Sequence, residues 1–207
     1  MATSKRYVVV AHGSRVDMAT SLANQLDAAM SIDTGDLGSN GNHDLAWRMA
    51  SEGKQEWSAV VEDDVLLVDN FHGHVEDALN HIPSPGILSL YAGYPRPAKD
   101  RVKKAIDAAV SEGKSFIRHN SLLWGLAVIM PSRLVPSMLD MVSRANHLEY
   151  DQRFTYWTTR KRIPVYYTVP SLVEHRDEPS LIWNDRPPRK AWVFGQPESW
   201  NSDYINM

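Results

Sequence analysis

Cysteine is absent from the 207 residues. That absence excludes a disulfide scaffold, a thiolate zinc site, an iron–sulfur cluster and a thiol nucleophile together, and it permits a reducing compartment. Any metal must be held by histidine and carboxylate. Long apolar runs are missing too. The charge-free stretch around the apolar centre runs only from His119 to Ser132, short of the roughly 20 residues of a membrane span, and Tyr7–Ala11 is too brief for a secretory core. There is no excess of one charge: 22 Lys+Arg stand against 25 Asp+Glu, a net charge of −3. This argues against a broad nucleic-acid footprint and leaves only two short basic clusters, Arg160, Lys161, Arg162 and Arg186, Arg189, Lys190, as local candidates. Internal repeats and low-complexity tracts are lacking as well. With 43% hydrophobic and 23% charged residues, global disorder is excluded. The expectation is a cytoplasmic protein with one main domain over residues 1–184 and a tail over 185–207 packing on or near it.

Apolar patterning then sets the order of elements. Arg6–Ala11 is a β-branched run suited to a strand buried on both faces. Ala19, Leu22, Ala23, Leu26, Ala29 and Met30 follow helical spacing after the turn HGSR. Ser31–Asn42, dense in Gly, Asn, Ser and Asp, reads as a loop, followed by a short helix over His43–Ser51. A strand from Trp57 carries Glu62, Asp63 and Asp64 before resuming at Val65–Val68, and Asp69 can cap the next helix over Phe71–Ile82, which Pro83 and Pro85 stop. Strands are predicted at Gly86–Tyr91, Leu122–Met130 and Pro164–Val169, and helices over Val102–Ala109 and Leu134–Val142. The alternation predicts an α/β fold, Rossmann-like, with a mainly parallel central sheet flanked by helices.

The acidic trio calls for an explanation. Adjacent carboxylates between apolar segments are desolvated and repel one another if packed away. A divalent cation relieves both penalties, and hard oxygen ligands suit Mg²⁺ or Mn²⁺, which keep positions open for substrate phosphates. In an extended strand Glu62 and Asp64 project to one side and Asp63 to the other. The plain alternative is a strand end whose acids face water. In open α/β sheets ligands bind at the carboxyl ends of strands, where both the HGSR turn and the acids fall.

At WSAVVEDDVLLVDNF the sequence resembles the GT-A glycosyltransferases, in particular small bacterial lipopolysaccharide-type and bacteriophage-encoded members, whose short acidic DxD motif follows an apolar strand. The resemblance extends through VVVAHGSR, HDLAW, LLWGLAVIMPSRLVPSML and PSLVEH. It implies a transferase using a nucleotide-diphosphate sugar, with UDP expected, together with Mn²⁺ or Mg²⁺. By resemblance Glu62, Asp64 and His175 serve the metal, and Asp63 contacts the ribose or the metal through water. His12, Gly13, Arg15 and Asp33 meet the nucleotide, and Gly125 lies beside the sugar. Asp151, with Glu149 second, is the carboxylate that takes the acceptor hydroxyl's proton.

Each residue also has a structural reading. His12 can satisfy a polar turn, Asp151 can cap a helix, and a lone His175 at a strand end is often a hydrogen-bonded structural residue. His72 and His74 lie two apart on a predicted helix and diverge by about 200°, which argues against a shared ion. Trp124 beside Gly125 could stack on a sugar, and Trp183, Trp192 and Trp200 could clamp the tail. The same AHGSR turn resembles the small tetrapyrrole metal chelatases, where His12 would receive the metal. A third alternative is a module that binds a sugar nucleotide or a protein without turnover. The acceptor, whether protein, glycan or modified DNA, is not specified by these residues.

Overall fold

The computed structural model describes residues 3–82, 86–94, 98–176 and 189–207. Pro83, Pro85, Trp183, Arg186 and the 184/185 boundary lie outside them. Lys5–His12 forms β1, followed by a 3-10 turn at Gly13–Arg15, α1 (Val16–Leu26), β2 (Ala29–Asp33), α2 (Gly38–Ser51) and β3 (Trp57–Glu62). Then come β4 (Val65–Leu67), α3 (Phe71–His81), β5 (Ile87–Ser89), β6 (Gly93–Tyr94), α4 (Lys99–Ser111) and β7 (Phe116–His119). The chain continues with β8 (Ala127–Pro131), α5 (Val135–Val142), α6 (Tyr150–Lys161), β9 (Val165–Thr168), β10 (Val173–His175), β11 (Lys190–Ala191) and β12 (Tyr204–Asn206).

Eight strands make one sheet in the order β12-β7-β9-β5-β8-β3-β1-β2. β1 pairs in parallel with β2 and β3, β5 with β9, and β7 with β12, whereas β8 runs antiparallel to both β3 and β5, and β7 to β9. The architecture is thus the expected α/β layer, a mainly parallel sheet with helices packed on it. Val8, Val9, Val60, Val61, Val128 and Ile129 are fully buried, as central strands covered on both faces require. No helix among the described residues is long and apolar enough to cross a membrane.

Several boundaries differ from the sequence reading. Helix α1 stops at Leu26 because Asp27 takes a left-handed conformation, φ 50°, so Ala29 and Met30 belong to β2, paired with Val8 and Val9. The expected loop over Ser31–Asn42 is therefore strand to Asp33 and helix from Gly38, with a short link between. Between the two, Asp33 Oδ1 accepts the backbone N–H groups of Gly35 (2.9 Å), Asp36 (3.0 Å) and Leu37 (3.0 Å), folding the polar stretch into a tight link. Asn70, also left-handed, occupies the start of α3 instead of Asp69. Strand β8 begins only at Ala127, and residues 122–126 before it are irregular. The short strand β7 has no clear signature in the sequence, since only Phe116 and Ile117 of its four residues are apolar and buried.

Candidate functional site

The acids after β3 do not stay in a strand. β3 ends at Glu62, Asp63 and Asp64 turn the chain, and β4 leaves in a separate two-stranded sheet with β10. The strand alternation expected for the trio is accordingly lost, and Asp63 and Asp64 turn to a common cation. Arg15 Nη1 lies 3.2 Å from Asp63 Oδ1 and 3.1 Å from Asp64 Oδ2. Both aspartates are buried, at 6% and 5% exposure, so they are not water-facing strand-end acids.

Antiparallel pairing of β10 with β4 sets His175 opposite Val65. This brings His175 Nε2 within 3.3 Å of Asp64 Oδ2. Burial, and next the charge of Glu62, push the Asp64 carboxyl above the usual carboxylate range, against the pull of His175, Arg189 and Arg15. Burial and the neighbouring Asp64 do the same to Asp63. Asp64 Oδ1 is buried without a hydrogen-bond partner.

Glu62 points elsewhere. Its backbone N–H donates to Leu126 O at 2.8 Å, and its Oε1 stands 3.7 Å from His43 Nε2. Burial works against its charge, but His43, and then Arg189 and His175, hold its carboxyl below the ordinary range. His43 is fixed from two sides. Its Nδ1–H donates to Ser39 O at 2.8 Å, and its ring stacks on Tyr150 with centroids 3.8 Å apart and planes at 25°. Tyr150 in turn accepts the Trp47 Nε1–H at 2.9 Å.

Glu62, His43, Ser39, Tyr150 and His175 wall a cavity of about 140 Å³, lined also by Tyr91, Trp124, Gly125, Glu149, Asp151 and Arg189. Gly125 is required there, because a Cβ would run into the Tyr150 ring and approach Glu62. Trp124 stands edge-on to Tyr91 and Tyr167, with centroids at 6.0 and 5.7 Å. Glu149 occupies the N-cap of α6 but makes no side-chain cap bond. Asp151 lies in the first turn, where its Oδ1 accepts the Gln152 N–H at 2.8 Å. Burial, then Glu62 and Glu149, raise the Asp151 carboxyl above its ordinary range, opposed by the Gln152 N–H. Helix α6 is anchored by Arg153, 1% exposed, whose Nη2 reaches Asp44 Oδ2 at 2.8 Å, Val142 O at 3.1 Å and Asn146 Oδ1 at 3.1 Å.

The residues singled out from the sequence therefore fall into two joined groups. Glu62, Gly125, Glu149, Asp151 and His175 line the cavity. His12, Gly13, Arg15 and Asp33 lie at the carboxyl ends of β1 and β2, outside its wall, and Arg15 is joined to it through Asp64 and His175. His12 caps the turn: its Nδ1 accepts the Ser14 N–H at 3.2 Å, and its own N–H points to Asp63 Oδ2 at 3.3 Å. That nitrogen is committed to the turn, and the exposed ring lies outside the cavity wall. Gly13 packs against the backbone of Asp33 and Thr34. His72 and His74 diverge as expected, one towards Gln25 O and the other towards the Trp200 ring. His43, Tyr91 and Tyr150 are cavity residues to which the sequence assigns no role, and Arg189, named there only within a basic cluster, joins them. The spacing of Tyr150 beside Asp151 and Glu149 was the available signal; Arg189 arrives only because β11 pairs with β6 and Glu174 Oε1 accepts the Ala191 N–H at 2.9 Å.

Among the described residues no three His, Asp or Glu side chains are gathered into a cation cage. Asp64 and His175 nevertheless fit a shared ion. Two neighbouring ligands at about 2.0–2.2 Å from one centre sit about 3.0–3.5 Å apart, the spacing observed, and the partnerless Asp64 Oδ1 is a donor in need of a cation. Glu62, turned to His43, is not brought to the pair as a third ligand.

No family model matches the sequence, and no curated protein matches it. Among solved structures the chain is similar to A197 from STIV, at 12% identity and TM-score 0.49, covering 82% of this chain and 83% of that one. It is also similar to mannose-1-phosphate geranyltransferase from Thermus thermophilus, at 10% identity and TM-score 0.38, covering 79% and 73%. Likenesses at this level transfer no activity, and the functional reading rests on the site itself.

Proposed function

We propose that this chain is a glycosyltransferase that moves a sugar from a nucleoside diphosphate, UDP by preference, to an acceptor hydroxyl. The observation that carries the reading is the convergence of Glu62, Gly125, Asp151 and His175, from four separate segments, on one cavity beside the buried Asp63–Asp64 pair. Carboxylates accept hydrogen bonds from sugar hydroxyls, while Tyr91 and Trp124 offer apolar surface to the ring face. That mixture suits a polyhydroxylated ligand better than an apolar one.

Each residue then has a task. Asp151 accepts the proton of the acceptor hydroxyl as its oxygen bonds to the anomeric carbon and the bond from that carbon to the β-phosphate oxygen breaks. Its raised pKa makes it a stronger base than an ordinary aspartate, and Glu149 sustains that by like charge. Glu62, oriented by His43, receives hydrogen bonds from the sugar. Gly125 and Tyr150 shape the wall against which the sugar lies. Asp64 and His175 are the residues that would hold Mn²⁺ or Mg²⁺, with Asp63 beside them. When bound, such an ion supplies stabilisation of the charge that develops on the departing diphosphate. Asp33, His12 and Gly13 form the floor at the ends of β1 and β2 where the nucleoside would rest.

The test is a thermal-shift screen of nucleotide sugars with and without Mn²⁺, followed by mass spectrometry for donor hydrolysis and transfer. A ligand that binds the native state raises the midpoint by mass action. Stabilisation by one diphosphosugar that requires Mn²⁺ and is lost in Asp64→Asn supports the reading. Silence towards every nucleotide sugar overturns it.

A further inference from the structure

Two buried polar atoms on the cavity wall have no partner among the described residues. His43 is 5% exposed and its Nε2 makes no hydrogen bond. Tyr91, 2% exposed, leaves its Oη in the same condition. Both residues line the cavity. A carbonyl oxygen only accepts, so the 2.8 Å contact with Ser39 O puts a hydrogen on His43 Nδ1. In the neutral ring Nε2 is then an acceptor. It stands 3.7 Å from Glu62 Oε1, beyond hydrogen-bonding distance. An imidazolium paired with a carboxylate closes to about 2.7–2.9 Å. This contact stays open, because Ser39 and the stack on Tyr150 hold the ring in place. His43 and Glu62 therefore present two acceptors side by side, with no donor to either.

One ligand atom that satisfies both acceptors must bring two hydrogens. At ordinary hydrogen-bond lengths such an atom sees the two acceptors about 80° apart, a spread that the hydrogens of an ammonium group can serve. A hydroxyl has a single hydrogen, as does an N-acetyl amide, and either would leave one acceptor bare. Charge favours the same choice. The carboxylates of Glu62, Glu149 and Asp151 line the cavity against the guanidinium of Arg189 and the imidazole of His175, and attraction for a cation is strengthened where water is excluded. We infer that the sugar bound in this cavity carries a free amino group, received jointly by His43 Nε2 and Glu62 Oε1, while Tyr91 Oη serves a hydroxyl of the same ring. The inference rests on the glycosyltransferase reading proposed above and names the class of its sugar.

Titration calorimetry at neutral pH with saturating Mn²⁺ tests this on UDP-glucose and UDP-galactose, their 2-amino forms and their N-acetylated amino forms. Wild type is expected to bind a free-amine sugar about tenfold more tightly than its hydroxyl and N-acetyl counterparts, the low end of what a hydrogen bond to a charged group contributes. His43→Phe keeps a ring to stack on Tyr150 and removes Nε2, and it should bring that ratio close to one. Glu62→Gln should do the same, and it decides the matter should His43→Phe not fold. The ratio is the readout because a merely structural loss weakens all these ligands alike. Equal affinity of wild type for amine and hydroxyl forms would overturn the inference and leave the transferase reading standing. A preference that survives both variants would overturn the assignment to His43 and Glu62. Binding of none of these sugars would overturn the inference, and the transferase reading falls with it only if the full nucleotide-sugar screen is silent too.

Discussion

Asp64 and His175 stand 3.3 Å apart because β4 and β10 pair antiparallel with Val65 opposite His175. A small separate sheet, not the main one, thus brings a late histidine to the acids that follow β3. The cavity, the Arg15 bridge and α6 are arranged around that contact.

Replacing Asp151 by Asn should leave donor binding unchanged and lower transfer by roughly 10²–10⁴-fold, the usual worth of a positioned base. Donor affinity by thermal shift and product formation by mass spectrometry separate the two effects. Transfer at the wild-type rate would remove Asp151 from the mechanism.

The pH profile carries a second expectation. Asp151 must be ionised to act as base, and its pKa is raised by burial, then by Glu62 and Glu149. Activity should rise with pH along a limb centred above the ordinary aspartate value of about 3.9. Glu149→Gln removes one of the like charges, so the limb should move to lower pH. An unmoved limb would show that another group controls it.

Gly125→Ala places a methyl group against the Tyr150 ring. Overpacking of this kind costs about 1–3 kcal/mol and should displace the ring that stacks on His43. Urea denaturation should report the loss, and ligand affinity should fall further than stability alone explains. If Gly125→Ala is as stable as wild type, the ring is free to move.

Arg153 lies nearly fully buried between α2, α5 and α6. Arg153→Met should cost about 3 kcal/mol, near the lower end for a broken buried ion pair, because Asp44 keeps some solvent contact. Activity measured well below the unfolding midpoint should also fall, since α6 carries Asp151 and follows directly on Glu149. A stability loss with full activity would mean that the start of α6 is held from elsewhere.

How far the site could be read from the sequence depended on whether local pattern or distant pairing placed each residue. The run of valines at β1, the apolar approach to Glu62 and the helical spacing of Val135, Met138, Leu139 and Val142 follow from burial and side-chain period. So does the presence of a problem at Glu62, Asp63 and Asp64, since adjacent acids in apolar surroundings demand a counter-charge whatever the fold. β2 stayed hidden: in AMSID the period of two and the helical period of the preceding segment overlap, and only pairing with Val8–His12 selects the strand. The position of α6 depended on a buried arginine reaching Asp44, a contact with no local signature.

By itself the sequence determined the α/β layering and the identity of the acids, because burial of apolar period and repulsion between neighbouring carboxylates are set by residues close in the chain. The tertiary structure alone decided that Asp63 and Asp64 share Arg15 while Glu62 turns to His43, and that Arg189 enters the cavity wall. Those choices depend on which distant strands pair, β4 with β10 and β6 with β11, and pairing between distant strands is decided by the whole core rather than by any one segment.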